Sequence, residues 1–148
     1  MPDIHHKTYI KVLPNEVYTT ITTADGWNAW FTDSTSLHMS PDGTGEIRLR
    51  WEKFGENIIT IEDGGEILET IPNEKFVFQW SPGEGSTTVV FTLESYKSGT
   101  LVHLRETGYS TSSKDINACL GCAVGWGEAL TLLKMYLEHG IVCKQDLL

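Results

Sequence analysis

Basic residues are scarce in this chain. Eleven Lys and Arg stand against 20 Asp and Glu in 148 residues, the formal net charge is −9, and no Lys/Arg-rich run occurs. A nucleic acid needs a basic face that displaces counterions, and an anionic membrane surface needs the same, so neither partner is expected. Cysteine is scarce as well. Cys119, Cys122 and Cys143 are odd in number and too few for a disulfide framework, which points to a reducing cytoplasm. Nowhere do about 18 apolar residues run together, so no transmembrane helix is expected. The opening MPDIHHKTYIKVLP alternates polar with apolar residues and offers neither the apolar core nor the small-residue cleavage site of a signal peptide. There is no H-E-x-x-H, no G-x-S-x-G and no P-loop. Gly43-Thr44-Gly45 begins like a dinucleotide fingerprint, but Arg48 stands where the third glycine belongs, so it reads as a hairpin turn.

What is present is a foldable core. A hydrophobic share of 40% is too high for a disordered chain. A chain of this length buries about 68–70% of its unfolded surface and needs neither disulfide nor metal to do so. One domain spanning residues 1–148 is expected.

Ile4–Val12 alternates as a strand, with Ile4, His6, Thr8, Ile10 and Val12 on one face. Pro14 suits the first turn of a helix whose stripe is Val17, Tyr18 and Ile21. Thr23 can cap a second short helix carrying Trp27, Trp30 and Phe31. From Ser36 to Tyr109 the period becomes two, with recurrent turn signals. Glu46–Lys53 is one strand, and Gly55 separates it from Ile58–Ile71, which Asp63-Gly64-Gly65 is expected to break by a bulge or bend. Phe76–Trp80, Thr87–Glu94 and Leu101–Tyr109 follow, joined by connections too short for a parallel crossover, so the sheet is an antiparallel meander. After Ser112, which with Asp115 fits a capping box, one long helix runs to His139 and stops at Gly140. Its stripe is Cys119, Cys122, Trp126, Leu130, Leu133 and Leu137. The apolar face of the sheet needs a cover, and this helix is the only element long enough. The class is α+β: a curved antiparallel sheet wrapped around a C-terminal helix, with two short helices between strands 1 and 2.

Pro14-Asn15-Glu16-Val17-Tyr18, Trp30-Phe31, GGEILETIPNEKFVFQW (Gly64–Trp80), GTLVHLRETGY (Gly99–Tyr109) and GWGEALTLLKMYLE (Gly125–Glu138) carry a resemblance over nearly the whole chain. The sequence resembles the START-like superfamily (SRPBCC, birch-pollen-allergen-like) of helix-grip folds, and within it the homologues of the activator of heat shock protein 90 ATPase. The resemblance implies the fold and an internal cavity. It implies no catalytic motif, because the superfamily spans lipid carriers, hormone receptors, cyclases and resistance proteins. Eukaryotic co-chaperones of this kind add an N-terminal domain for which this chain has no room, so chaperone contact is the least favoured expectation.

Several residues bear on chemistry. Cys119-Leu-Gly-Cys122 is a C-x-x-C, but a zinc site needs four ligands, and His139 and Cys143 lie about five helical turns beyond. Small core cysteines are the simpler reading. His5 and His6 are adjacent on a strand and point to opposite faces, so they cannot chelate one ion together. Glu106 shares parity with Val102 and Leu104. If that face looks at the helix, Glu106 is interior and needs a partner such as Arg48, Arg50 or a ligand donor; if the strand end frays, it meets water. His103 is of opposite parity and poorly placed to work with it. The tryptophans Trp27, Trp30, Trp51, Trp80 and Trp126 either fill the core or wall a pocket.

The C-terminal helix decides where a pocket belongs. Its first half holds Gly121, Gly125 and Gly127, each costing about 1 kcal/mol in a helix interior. Its second half is bulky. Small side chains facing a wide sheet leave volume unfilled unless the strands approach more closely. The expectation is a pocket beside Cys122 and Trp126, with Trp30, Trp51, Phe78, Trp80 and Phe91 as walls and Glu106 at its mouth or base. The leading function is binding of a small hydrophobic or aromatic molecule there, without cofactor or metal, by a monomer or homodimer. The alternatives are an enzyme of the cyclase or hydrolase type using cavity carboxylates, and a chaperone-associated adaptor.

Overall fold

The computed structural model describes residues 2–54 and 58–145. Strand β1 (Ile4–Ile10) is followed by helices α1 (Pro14–Ile21) and α2 (Ala24–Trp30). Six further strands come next: β2 (Ser34–Met39), β3 (Gly45–Phe54), β4 (Ile59–Ile71), β5 (Lys75–Trp80), β6 (Thr87–Tyr96) and β7 (Gly99–Thr107). Helix α3 (Ser113–His139) ends the fold. The sheet has seven strands in the order β1-β7-β6-β5-β4-β3-β2, and every pairing is antiparallel. The first strand closes onto the last, so α1 and α2 arise within the long return from one sheet edge to the other.

Local chemistry explains the helix boundaries. Pro14 opens α1, where a missing N–H costs nothing. The Thr23 hydroxyl accepts from the Gly26 N–H at 3.1 Å at the start of α2. Ser112 accepts from the Asp115 N–H at 3.1 Å at the start of α3, and Gly140 ends that helix in the left-handed region.

One expectation needs correction. Strand β4 runs unbroken through Asp63-Gly64-Gly65, and the register shifts instead between Ile67 and Glu69. The glycines are there for close approach. A Cβ on Gly64 would sit 2.1 Å from the Ile47 carbonyl oxygen, and one on Gly65 would sit 2.4 Å from that of Gln79. Helix α3 is long and apolar enough, by length and composition alone, to cross a membrane, a test that core helices also pass. In this fold Trp126, Leu130 and Leu133 are buried in the common core against the sheet. Gly55, expected to separate β3 from β4, lies outside the described residues.

The inward face of β7 carries Val102, Leu104 and Glu106, all essentially inaccessible, while Arg105 faces water. Around α2 the core is aromatic: Trp27 meets Trp30 at 4.9 Å and Phe91 at 6.4 Å between ring centroids. The rear half of α3 fills its share of the sheet with Leu130, Leu132 and Leu133.

Candidate functional site

The front half of α3 leaves a cavity of about 380 Å³ between itself and the strands. That is within the range of small-molecule sites, roughly 300–1,000 Å³. From α3 it is lined by Ala118, Gly121, Cys122, Gly125 and Trp126. Phe31, Trp51, Ile61, Asp63, Trp80 and Pro82 complete the wall. Added Cβ atoms on Gly121 and Gly125 would meet nothing within 4 Å. These two glycines border open space, whereas a Cβ on Gly127 would stand 3.3 Å from the His6 ring of β1.

Glu106 forms the polar base beneath this cavity. Its Oε1 accepts from the Trp126 indole N–H at 2.9 Å, and its Oε2 accepts from the Trp80 indole N–H at 2.8 Å. Oε2 also accepts from the Thr87 hydroxyl at 2.6 Å and the Tyr109 hydroxyl at 2.8 Å. All four partners donate and none is charged, which suits an acceptor-only carboxylate. Burial, then Cys122 and Glu106 beside it, push the Tyr109 phenol far above its ordinary range, so its proton stays available to Glu106. Burial also pushes the Cys122 thiol up to about 11, so it lines the cavity as a neutral group at physiological pH.

Asp63 is the one charged side chain among the described lining residues. Its Oδ1 accepts from the Gly64 N–H at 2.7 Å and the Ser81 N–H at 3.0 Å, and Oδ2 shares the Ser81 N–H at 3.1 Å. Burial raises its carboxyl above the usual range. The Ser81 and Gly64 N–H groups and the Arg48 charge oppose that rise, and Glu106 adds to it.

Residues 11–138 match the family described as Activator of Hsp90 ATPase homolog 1-like protein. The chain belongs to this family. Among solved structures it is similar to the protein SSP2350 from Staphylococcus saprophyticus, at 25% identity and a TM-score of 0.73, covering 95% of each chain. It is also similar to the Aha1 dimer from Colwellia psychrerythraea, at 24% identity and a TM-score of 0.73, covering 95% of this chain and 98% of that one. DynU16, a putative protein in the dynemicin biosynthetic locus, shares 18% identity at a TM-score of 0.75; the match covers 93% of this chain and 48% of that one. These likenesses establish the START-like helix-grip fold. No curated protein matches the chain.

Within this family member the expected pocket residues divide into two sets. Trp51, Trp80, Cys122 and Trp126 line the cavity, and Glu106 lies directly beneath two of them. Trp30, Phe78 and Phe91 do not reach it. They are enclosed around Trp27 further along the sheet, each at most 1% exposed. Arg48 and Arg50 are not partners of Glu106. Both project from the outer face of β3, toward Glu62 at 3.0 Å and Glu52 at 3.5 Å. His103 likewise pairs outward with Glu94 at 3.3 Å. His5 is exposed, and His6 donates Nε2–H to the Ala123 carbonyl at 2.8 Å. Cys119, Cys122 and Cys143 are free thiols. Sequence reasoning missed Phe31, Ile61, Pro82 and above all Asp63, which reads as a turn residue beside two glycines.

Proposed function

We propose that this protein binds a small hydrophobic or aromatic molecule in the cavity between the front half of α3 and the sheet. The observation that carries the reading is a space of about 380 Å³ bounded by three tryptophans, one phenylalanine and two glycines with nothing opposite them. Close packing is the norm in protein interiors, and two costly helix glycines beside a void are hard to reconcile with a purely structural role. Binding is favoured over catalysis because Glu106 has no exposed surface and its oxygens are committed to four donors. One carboxylate, Asp63, is left on the wall, whereas acid–base chemistry of the cyclase or hydrolase type asks for two groups facing a substrate.

The test is titration with N-phenyl-1-naphthylamine, an uncharged probe whose emission rises in apolar surroundings. Saturable binding by the unmodified protein, lost in Cys122→Phe, supports the reading. A flat titration with this probe, together with no small molecule carried through gentle purification in native mass spectrometry, overturns it.

A second reading concerns assembly. Ile116, Leu120 and Val124 form an exposed apolar stripe on α3, 40%, 64% and 66% accessible. We propose that two copies associate through this stripe, a reading supported by the dimeric state named for the Colwellia relative. Light scattering after gel filtration should give twice the chain mass, and Leu120→Glu should give the chain mass. A single-chain mass for the unmodified protein across micromolar concentrations rejects it.

A further inference from the structure

The walls of the cavity carry information about the charge of what enters it. Their aromatic groups are Phe31, Trp51, Trp80 and Trp126, with Phe31 and Trp51 centroids 5.2 Å apart and those of Trp80 and Trp126 5.3 Å apart. The N–H edges of Trp80 and Trp126 are turned onto Glu106, so these two indoles give the cavity ring carbon and π surface rather than hydrogen-bond donors. Two carboxylates adjoin the cavity. Asp63 stands on the wall, and Glu106 stands behind the indoles. No Lys, Arg or His is among the described lining residues. Among the described residues Asp63 is bound by the neutral Gly64 and Ser81 N–H groups and makes no ion pair; Arg48, whose charge reaches it, is turned outward to Glu62 at 3.0 Å. A carboxylate accommodates about four donors, so Asp63, a residue of the cavity wall, retains acceptor capacity.

We infer that the cavity prefers a cationic aromatic ligand, a ring system bearing a protonated amine, with the ammonium beside Asp63 and the rings among Trp51, Trp80 and Trp126. This rests on the ligand-binding reading above and adds the charge of the ligand to it. Three contributions act in the same direction. A cation over an indole face is attracted by the ring quadrupole. The ammonium forms a charge-assisted hydrogen bond with Asp63. It also offsets two carboxylates held in a poorly hydrated region, and burial already disfavours the ionised form of Asp63. An anionic ligand meets the opposite sign of each contribution.

Three probes of one shape separate charge from hydrophobicity: 1-naphthylmethylammonium, naphthalene-1-methanol and 1-naphthoate, titrated at neutral pH into the unmodified protein, Asp63→Asn and Cys122→Phe. The ammonium should bind about tenfold more tightly than the alcohol, and the naphthoate more weakly than either. Asp63→Asn keeps an oxygen for the Ser81 and Gly64 N–H groups. It should bring ammonium and alcohol to within about twofold of each other, the ammonium losing more than the alcohol. Cys122→Phe should remove all binding.

Alcohol or naphthoate binding as tightly as the ammonium overturns the charge preference and leaves the cavity reading standing. Ammonium binding that survives Cys122→Phe belongs to the acidic surface and overturns the preference too. If none of the three probes binds while N-phenyl-1-naphthylamine does, the charge preference falls alone; if that probe fails as well and nothing co-purifies, both readings fall. The comparison on the unmodified protein decides the matter even if a variant folds poorly.

Discussion

Trp80 on β5 and Trp126 on α3 meet at 5.3 Å between ring centroids, and each donates its indole N–H to a different oxygen of Glu106. One buried carboxylate thereby fixes the orientation of both rings and joins sheet to helix at the base of the cavity.

That arrangement makes the charge state and shape of residue 106 decisive for stability. In Glu106→Gln an amide NH₂ replaces one acceptor oxygen, so a donor confronts Trp126 or the three groups now bound to Oε2. Leaving buried donors unsatisfied costs about 1–3 kcal/mol, and the urea midpoint should fall accordingly. Glu106→Leu deprives all four donors and should fall further. An unchanged midpoint in Glu106→Gln would mean that these hydrogen bonds do not hold the site.

Cys122 tests the cavity from the other side. It is half-buried on the lining of α3, and Leu or Phe in its place projects into vacant volume. Cys122→Leu should change the melting temperature by no more than a degree or two on the order expected below about 0.5 kcal/mol. In a tightly packed interface the same change would overpack and cost about 1–3 kcal/mol. Calorimetry separates the two cases.

The helix glycines should respond unequally. Gly121→Ala and Gly125→Ala add a methyl that meets nothing within 4 Å, so each should gain about 0.5–1 kcal/mol from helix propensity and a less flexible unfolded chain. Gly127→Ala adds one that sits 3.3 Å from the His6 ring and should gain less or lose. Chemical denaturation of the three variants side by side gives the order. Equal gains would show that His6 yields freely.

Asp115 governs the acid limb of stability. The Glu84 N–H at 2.7 Å and the Ser110 N–H at 2.6 Å hold its carboxyl below the ordinary value of 3.8. A folded pKa below the unfolded one contributes stability that is complete above 3.8 and is lost as pH falls through the folded value. The stability difference between the unmodified protein and Asp115→Asn should therefore be constant near neutrality and close below pH 3.8. Thermal melts from neutral to strongly acid pH read it directly, and a difference that persists in strong acid contradicts it.

The sheet is readable because alternation on each strand serves one buried face. Parity sets Glu106 with Val102 and Leu104, but whether the strand end turns in or frays into water is decided only by the donors that meet it. Those donors do not follow from parity. Trp80, Thr87 and Trp126 lie 19–26 residues away, and only strand register and the seat of α3 bring their donors together. Depth is equally hidden. Phe78 and Trp80 share a parity on β5, yet Phe78 lies beneath Trp27 and Trp80 reaches the cavity. Likewise Trp30 and Phe31 are neighbours, but Phe31 lies just past the end of α2 and lines the cavity while Trp30 is enclosed. Asp63 was concealed by its own neighbours, because Asp-Gly-Gly is a turn signal wherever no second strand demands close contact.

Helix α3 is pinned at both ends. Asp115 grips the backbone of Glu84 and Ser110 in front. At the rear Glu138 accepts from the Lys11 N–H at 2.9 Å and from Lys134, which also reaches the Tyr9 carbonyl. Between these anchors the glycine-bearing stretch is tied to the sheet again, by the His6 bond to the Ala123 carbonyl and the Trp126 bond to Glu106. The cavity is therefore held open by these ties rather than by its contents. An entering molecule has no helix to push aside, the ordering entropy having been spent when the chain folded, and reorganisation should contribute little to its affinity.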